Sequence, residues 1–309
     1  WLLHSMKHVI ESDDLNARIT VLTRNPESFG EDEPELYTFK NFSFLKGDVC
    51  NFNYPSDYFT HLIHGAADSS DYVLRNDPIR MFTSIVSGAQ RILDFSRHTR
   101  VGRLLSISSG AIYGNQIRHN RELSEDWEGE AVNSLKVESA YIEAKRASEM
   151  LCTLYQSQFD VDVSIARCFT FIGPYLPLDA NYAIGNFIED AMNGRTLTIK
   201  GTGKEKRSYL YISDLIVWLW SLLVNGKPGT AINVGSDLKD KDDINSIIDI
   251  ISSTINLSNF KNTNKNRSFS TILIEPKFKN INSIQFEPSL MNEIKNIGKK
   301  SAYIYIDEF

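Results

Sequence analysis

The sequence predicts an α/β fold: a doubly wound parallel sheet with helices on both faces and a smaller C-terminal lobe. Three observations carry this. Short β-branched runs alternate with stretches of helical spacing over roughly the first 170 residues, the rhythm of strand–helix–strand units. That rhythm changes from Tyr175 onward. An almost wholly apolar run from Leu215 to Val224 then reads as a buried helix. The expected division is a main domain over 1–174 and, over 175–309, mostly a second lobe, part of which returns to the main domain.

Leu2, Leu3, Met6, Val9 and Ile10 share one helical face at the start of the chain. A chain that opens inside an amphipathic helix reads as cut there, so the expectation is an N-terminal fragment. Residues 18–23 form a buried strand, ended by Arg24, Asn25 and Pro26. Residues 42–48 and 61–64 are further strands, the latter followed by Gly65, Ala66 and Ala67. Ile85, Ala89, Ile92 and Leu93 mark a helix within 81–95. A strand at 103–108, a long helix at 138–159 and a strand at 161–166 complete the alternating part. Beyond it, 184–192 reads as helix, 196–200 as a short strand, 204–207 as a charged loop and 233–236 as a turn. After Asn256 the chain is rich in Asn, Lys and Ser, without clear periodicity until the alternation Tyr303, Ile304, Tyr305, Ile306.

The chain has 309 residues, 42% of them hydrophobic and 23% charged, which excludes global disorder. Its net charge of −6 gives no reason to expect nucleic acid or a membrane surface as partner. The longest apolar run falls far short of the ~20 residues that span a bilayer. Cys50, Cys152 and Cys168 are widely spaced and form no metal-ligand pattern, which points to a reduced, cytoplasmic compartment. His61 and His64 flank an apolar strand and read as structural; no metal site is expected.

The residues that carry chemistry are Tyr141 and Lys145, four apart and so on one helix face. A tyrosine moves protons near neutral pH only if its pKa falls from ~10 to ~7, about 4 kcal/mol of differential stabilisation. One ammonium at ~4 Å in an effective dielectric of ~20 supplies about that much. A surface tyrosine stacked on a lysine stem gives the same spacing, so the pair alone decides nothing. The strand at 103–108 adds to it, because it ends in Ser108 and Ser109, at the carboxyl edge where parallel sheets bind ligands. Ser109 there can hold a substrate oxygen near Tyr141.

These features resemble the extended short-chain dehydrogenase/reductases, in particular the nucleotide-sugar epimerase/dehydratase family, from the first residues to about Ser236. Residues 61–67 look like that family's cofactor-lining strand end, and 46–49 like its adenine-contacting acidic segment. Residues 167–174 look like its strand-to-loop motif beside the nicotinamide, and 207–214 like its diphosphate-holding arginine segment. The resemblance implies a Rossmann-like domain binding NADP or NAD. It assigns catalysis to Ser109, Tyr141 and Lys145. Cofactor contacts fall to Arg24, Asp48, Val49, Gly65, Ala66, Ala67, Ser108, Tyr141, Lys145 and Arg167. Contacts to a nucleotide-diphosphate sugar fall to Ser109, Thr170, Asn186 and Arg207. It also implies a homodimer pairing the helices at 81–95 and 138–159. Arg24 stands where NAD-preferring relatives carry an acid, and an arginine there pairs a 2′-phosphate, favouring NADP.

The departures matter as much. The family's opening strand and glycine-rich turn, whose backbone N–H groups hold the pyrophosphate, are not found in the sequence. The sheet is therefore expected to keep an unpaired edge beside 18–23. Gly110 and Ala111 follow Ser109, where the family's dehydratases carry an acid pair, and Thr170 stands where the motif asparagine is usual. The expected activity is thus epimerisation or 4-keto-sugar reduction. The alternatives are 4,6-dehydration or decarboxylation and, from another class, a non-catalytic binding protein or inactive fragment.

Overall fold

The structure is a computed structural model describing residues 1–13, 15–67, 71–114, 123–175, 178, 183–193, 195–196, 206–207, 209–236, 242–243 and 302–307. Its main element is a parallel sheet. The strands are β1 (Ala17–Thr23), β2 (Phe42–Lys46), β3 (His61–His64), β4 (Arg103–Ser109) and β5 (Val163–Cys168). After the short β6 (Phe171–Ile172), β7 (Lys206–Arg207) and β8 (Leu210–Tyr211) come β9 (Ala231–Val234), β10 (Asp242–Asp243) and β11 (Ala302–Asp307). The order across the large sheet is β2-β1-β11-β3-β4-β5-β9, all neighbours parallel.

Side chains alternate faces along each strand and so feed two cores. Ile19, Val21, Ile63, Leu105 and Ala166 join one core, against α1 (Leu2–Asp13) and α8 (Ile212–Asn225). Leu22, Leu62, Leu104, Val163 and Ile165 join the other, against α5 (Pro78–Thr99) and α6 (Ala140–Phe159); the short helices α2 (Pro26–Asp32), α3 (Pro34–Tyr37) and α4 (Asp71–Asn76) lie in the connections before α5. The apolar face foreseen for the opening helix supplies Leu3, Met6, Val9 and Ile10. The indole N–H of Trp220 donates to Ser5 Oγ at 2.9 Å, which fixes α8 on α1 within that core. Helix α5 starts where the Asp77 carboxylate accepts from Arg80 N–H, and ends with Arg100 in the left-handed region at φ 54°.

The expected bare edge beside β1 does not exist. The classical doubly wound order is 3-2-1-4-5-6, and β11 stands in the place of its first strand. Its register runs from Ala17↔Ala302 to Leu22↔Asp307 on one side and from Ile304↔His61 to Ile306↔Ile63 on the other. The cause is the open ladder itself. Two inner strands with unmet backbone donors and acceptors capture a segment able to extend, and the alternating stretch near residue 304 is such a segment. A second correction concerns the charged loop at 204–207: Lys206 and Arg207 form β7, antiparallel to β10. β6 pairs with β8 in a further small sheet. The strand foreseen at 196–200 falls mostly outside the described residues. No helix among the described residues is long and apolar enough to cross a membrane.

Candidate functional site

The site is built at the carboxyl ends of β4 and β5 and on the first turns of α6. β4 closes on Ser108 and Ser109, in register with Arg167 and Cys168 of β5. Ser109 is extended at φ −140° and caps a short 3-10 turn, Gly110–Tyr113, by accepting from Ala111 N–H at 3.2 Å. Gly110 is required by packing: a Cβ there would lie 2.7 Å from the Phe169 ring. The two positions after Ser109 thus form a tight apolar turn, with no carboxylate in it.

Lys145 is 6% exposed, and its ammonium donates to Ile107 O at 3.0 Å, two residues before Ser109. The same ammonium lies 6.0 Å from the centre of the Tyr141 ring. Burial lowers the Lys145 pKa to about 8; Glu149 opposes this, as Cys168 and Cys152 would if ionised. The two thiols are themselves pushed up to about 12 by burial, so they stay neutral. Tyr141 packs on the cluster of Val73, Met81, Ile85 and Ala144, and Ala67 packs on the same cluster. The loop after β3 and the helix carrying Tyr141 therefore border one apolar cluster.

Five of the remaining predicted residues follow β1, β2 and β3 directly, one follows β5, and two lie on other elements. Gly65 is buried and Ala66 half-buried after β3. Asp48 follows β2, its carboxylate accepting from Cys50 N–H at 2.9 Å. Val49 packs against α5 at Gly88, where an added Cβ would lie 3.0 Å from its methyl. Arg24 is exposed just beyond β1. Thr170 is half-buried, its carbonyl accepting from Leu210 N–H at 3.0 Å. Asn186 lies on α7 (Ala183–Met192), half-buried, and Arg207 lies in β7; the Arg207 side chain is outside the described residues.

Sequence reasoning missed the polar network beneath this site. Glu149, one turn past Lys145, accepts from Ser108 Oγ at 2.6 Å. It also receives the Arg167 guanidinium, with N–H donors at 2.8, 3.2 and 3.3 Å. Arg167 donates further to Tyr113 Oη at 2.7 Å and to Glu125 O at 3.0 Å. Tyr113 Oη donates in turn to Asn233 Oδ1 at 2.8 Å. The signal for Glu149 was its spacing of four from Lys145; Asn233 reaches the network only through the pairing of β9 with β5.

Comparison with known proteins agrees with this architecture. UDP-glucuronic acid decarboxylase 6 of Arabidopsis thaliana is 32% identical over 176 residues, 57% of this chain and 50% of that protein. The chain thus spans about half the length of such curated relatives. Among solved structures, UDP-glucose 4-epimerase from Thermotoga maritima, with UDP-glucose, matches at TM-score 0.64 and 18% identity, covering 83% of this chain and 80% of that one. RMD from Pseudomonas aeruginosa, complexed with NADPH, matches at TM-score 0.61 and 21% identity, covering 77% and 84%. Residues 6–235 match the family described as NAD dependent epimerase/dehydratase, and the chain belongs to that family.

Proposed function

We propose that this protein exchanges two electrons at C4 of a nucleotide-linked hexose, as a 4-epimerase or a 4-keto-sugar reductase. The observation that carries the choice is the turn after Ser109. A methyl on Gly110 would have to push the Phe169 ring aside, and neither Gly110 nor Ala111 has a proton to give or take. The acid pair needed to remove water across C5 and C6 has no place there.

A bound nicotinamide dinucleotide supplies the two-electron exchange. The residues at the sheet edge suit the adenosine end of such a group: Asp48 offers a carboxylate toward the adenine and Arg24 a cation toward the 2′ position of its ribose. Val49, Gly65, Ala66 and Ala67 offer low side walls, with Ser108 and Arg167 behind them. The cation of Arg24 favours NADP over NAD. Tyr141 holds or takes the proton at the sugar O4, and Ser109 orients that oxygen. Lys145, charged below about pH 8, lowers the phenol pKa and reaches toward a ribose. Thr170, Asn186 and Arg207 hold the sugar and its diphosphate.

A second reading is favoured by the sequence similarity to UDP-glucuronic acid decarboxylases: oxidation at C4 of a hexuronic acid labilises its carboxylate without any further acid at Gly110 or Ala111. We also read the protein as a cytoplasmic homodimer. Ile79, Phe82, Met150 and Leu154 leave apolar surface exposed on α5 and α6, and the three cysteines are free thiols.

A panel of nucleotide hexoses and hexuronic acids, followed by nicotinamide absorbance and CO2 release, tests the reading. Reduction gives net cofactor turnover and epimerisation a new sugar without it. CO2 release with a nucleotide hexuronic acid selects the second reading.

A further inference from the structure

Lys145 and Tyr141 sit on α6, Ser109 on β4, and something must hold helix and strand end in register. Helix α6 touches the end of β4 through two polar contacts: Lys145 to Ile107 O and Glu149 to Ser108 Oγ. The second is the more constrained. Glu149 and Arg167 have side chains only 13% and 14% exposed, and they meet in a bidentate pair. The guanidinium also stands 5.2 Å from the Tyr113 ring centre while bonding its hydroxyl. A planar fork held at this many points fixes geometry as well as charge.

The geometry points to Glu149 as a positioning residue: clamped by Arg167, its carboxylate grips Ser108 and so holds the strand end carrying Ser109 against the helix turn carrying Lys145 and Tyr141. This rests on the reading of those three residues as the reacting set. The carboxylate has a second effect. The groups facing Lys145 are Glu149, Cys152 and Tyr141 on its own helix and Cys168 on β5. With both thiols neutral, Glu149 is the anion that offsets the burial of the ammonium, and Arg167 limits how far.

The test titrates the Lys145 ammonium by NMR in the whole chain labelled at lysine, its resonance identified by its loss in Lys145→Met. The wild-type midpoint is expected near 8. Glu149→Gln keeps the shape but removes the charge, and should lower the midpoint by about one pH unit. Arg167→Met leaves the carboxylate unbalanced and should raise it. If Glu149→Gln does not fold, Glu149→Asp, which withdraws the charge by one methylene, should lower the midpoint by a smaller amount. A purely structural role would lower the unfolding midpoint of every variant without opposite movements of the Lys145 titration. A Lys145 midpoint unchanged in the folded Glu149 variant overturns the proposal. No substrate is needed, so this outcome is separate from failure of the nucleotide-sugar reading, which shows as a wild-type protein that converts no nucleotide sugar.

Discussion

Tyr141→Phe is expected to lower turnover of a nucleotide sugar by about 10²–10⁴-fold, the range for loss of a positioned acid–base group, with little change in folding. The ring packs on Val73, Met81, Ile85 and Ala144, and phenylalanine keeps that contact while giving up the hydroxyl. Steady-state kinetics with a thermal unfolding control checks this. The pH profile supplies a second signature. As pH rises through about 8, Lys145 loses its proton, the phenol loses its neighbouring cation, and wild-type turnover falls. Unfolding does not explain that fall. The folded Lys145 pKa lies below its ordinary 10.5, so between about 8 and 10.5 the unfolded chain binds more protons, and this group's effect on stability improves as pH rises. Activity and stability should therefore diverge between about pH 8 and 9; above 9 the buried Cys152 and Cys168 thiols, pushed up to about 12, act the other way and stability falls as well.

Ile304→Pro is expected to cost about 2–4 kcal/mol of stability, from a lost ladder hydrogen bond and an unmet buried partner. The register sets Ile304 opposite Ile19 on one side and His61 on the other. A proline in so central a strand breaks the sheet between its two halves. Urea unfolding should show the loss as a lower midpoint. Amide exchange should show it locally, as reduced protection at Ile19, Val21, Leu62 and Ile63. An unchanged midpoint with unchanged protection would mean that residues 302–307 do not complete the sheet.

The same strand shows where the sequence stops being legible. β1, β3, β4 and β5 could be read because each is a short apolar run bounded by turn residues, a local signal. The alternation near residue 304 was visible too, but its place between β1 and β3 is a matter of long-range pairing, which no local pattern encodes. The ends of α5 lay a few residues outside the predicted helix because its stops are set by the Asp77 cap and the left-handed Arg100, not by apolar spacing. At the candidate site, the places of Ser109 at the end of β4 and of Tyr141 and Lys145 on one face of α6 were legible, because two carry a helical spacing and one a strand-end position. The Tyr113–Asn233 bond was not, since those residues are 120 apart in the chain and meet only when β9 joins the edge of β5. Arg207 was read as part of a loop because two residues of strand give no period to detect.

If the chemistry occurs at C4 of the sugar, a hexose deuterated at C4 reports it. The nucleotide sugar converted in the panel is prepared with deuterium at C4, and its product is examined by NMR. Epimerisation should retain deuterium at C4 of the inverted sugar. Reduction, run in reverse from the 4-hydroxy sugar, should transfer deuterium to the nicotinamide. Deuterium that stays untouched at C4 while the sugar reacts elsewhere would contradict chemistry at C4.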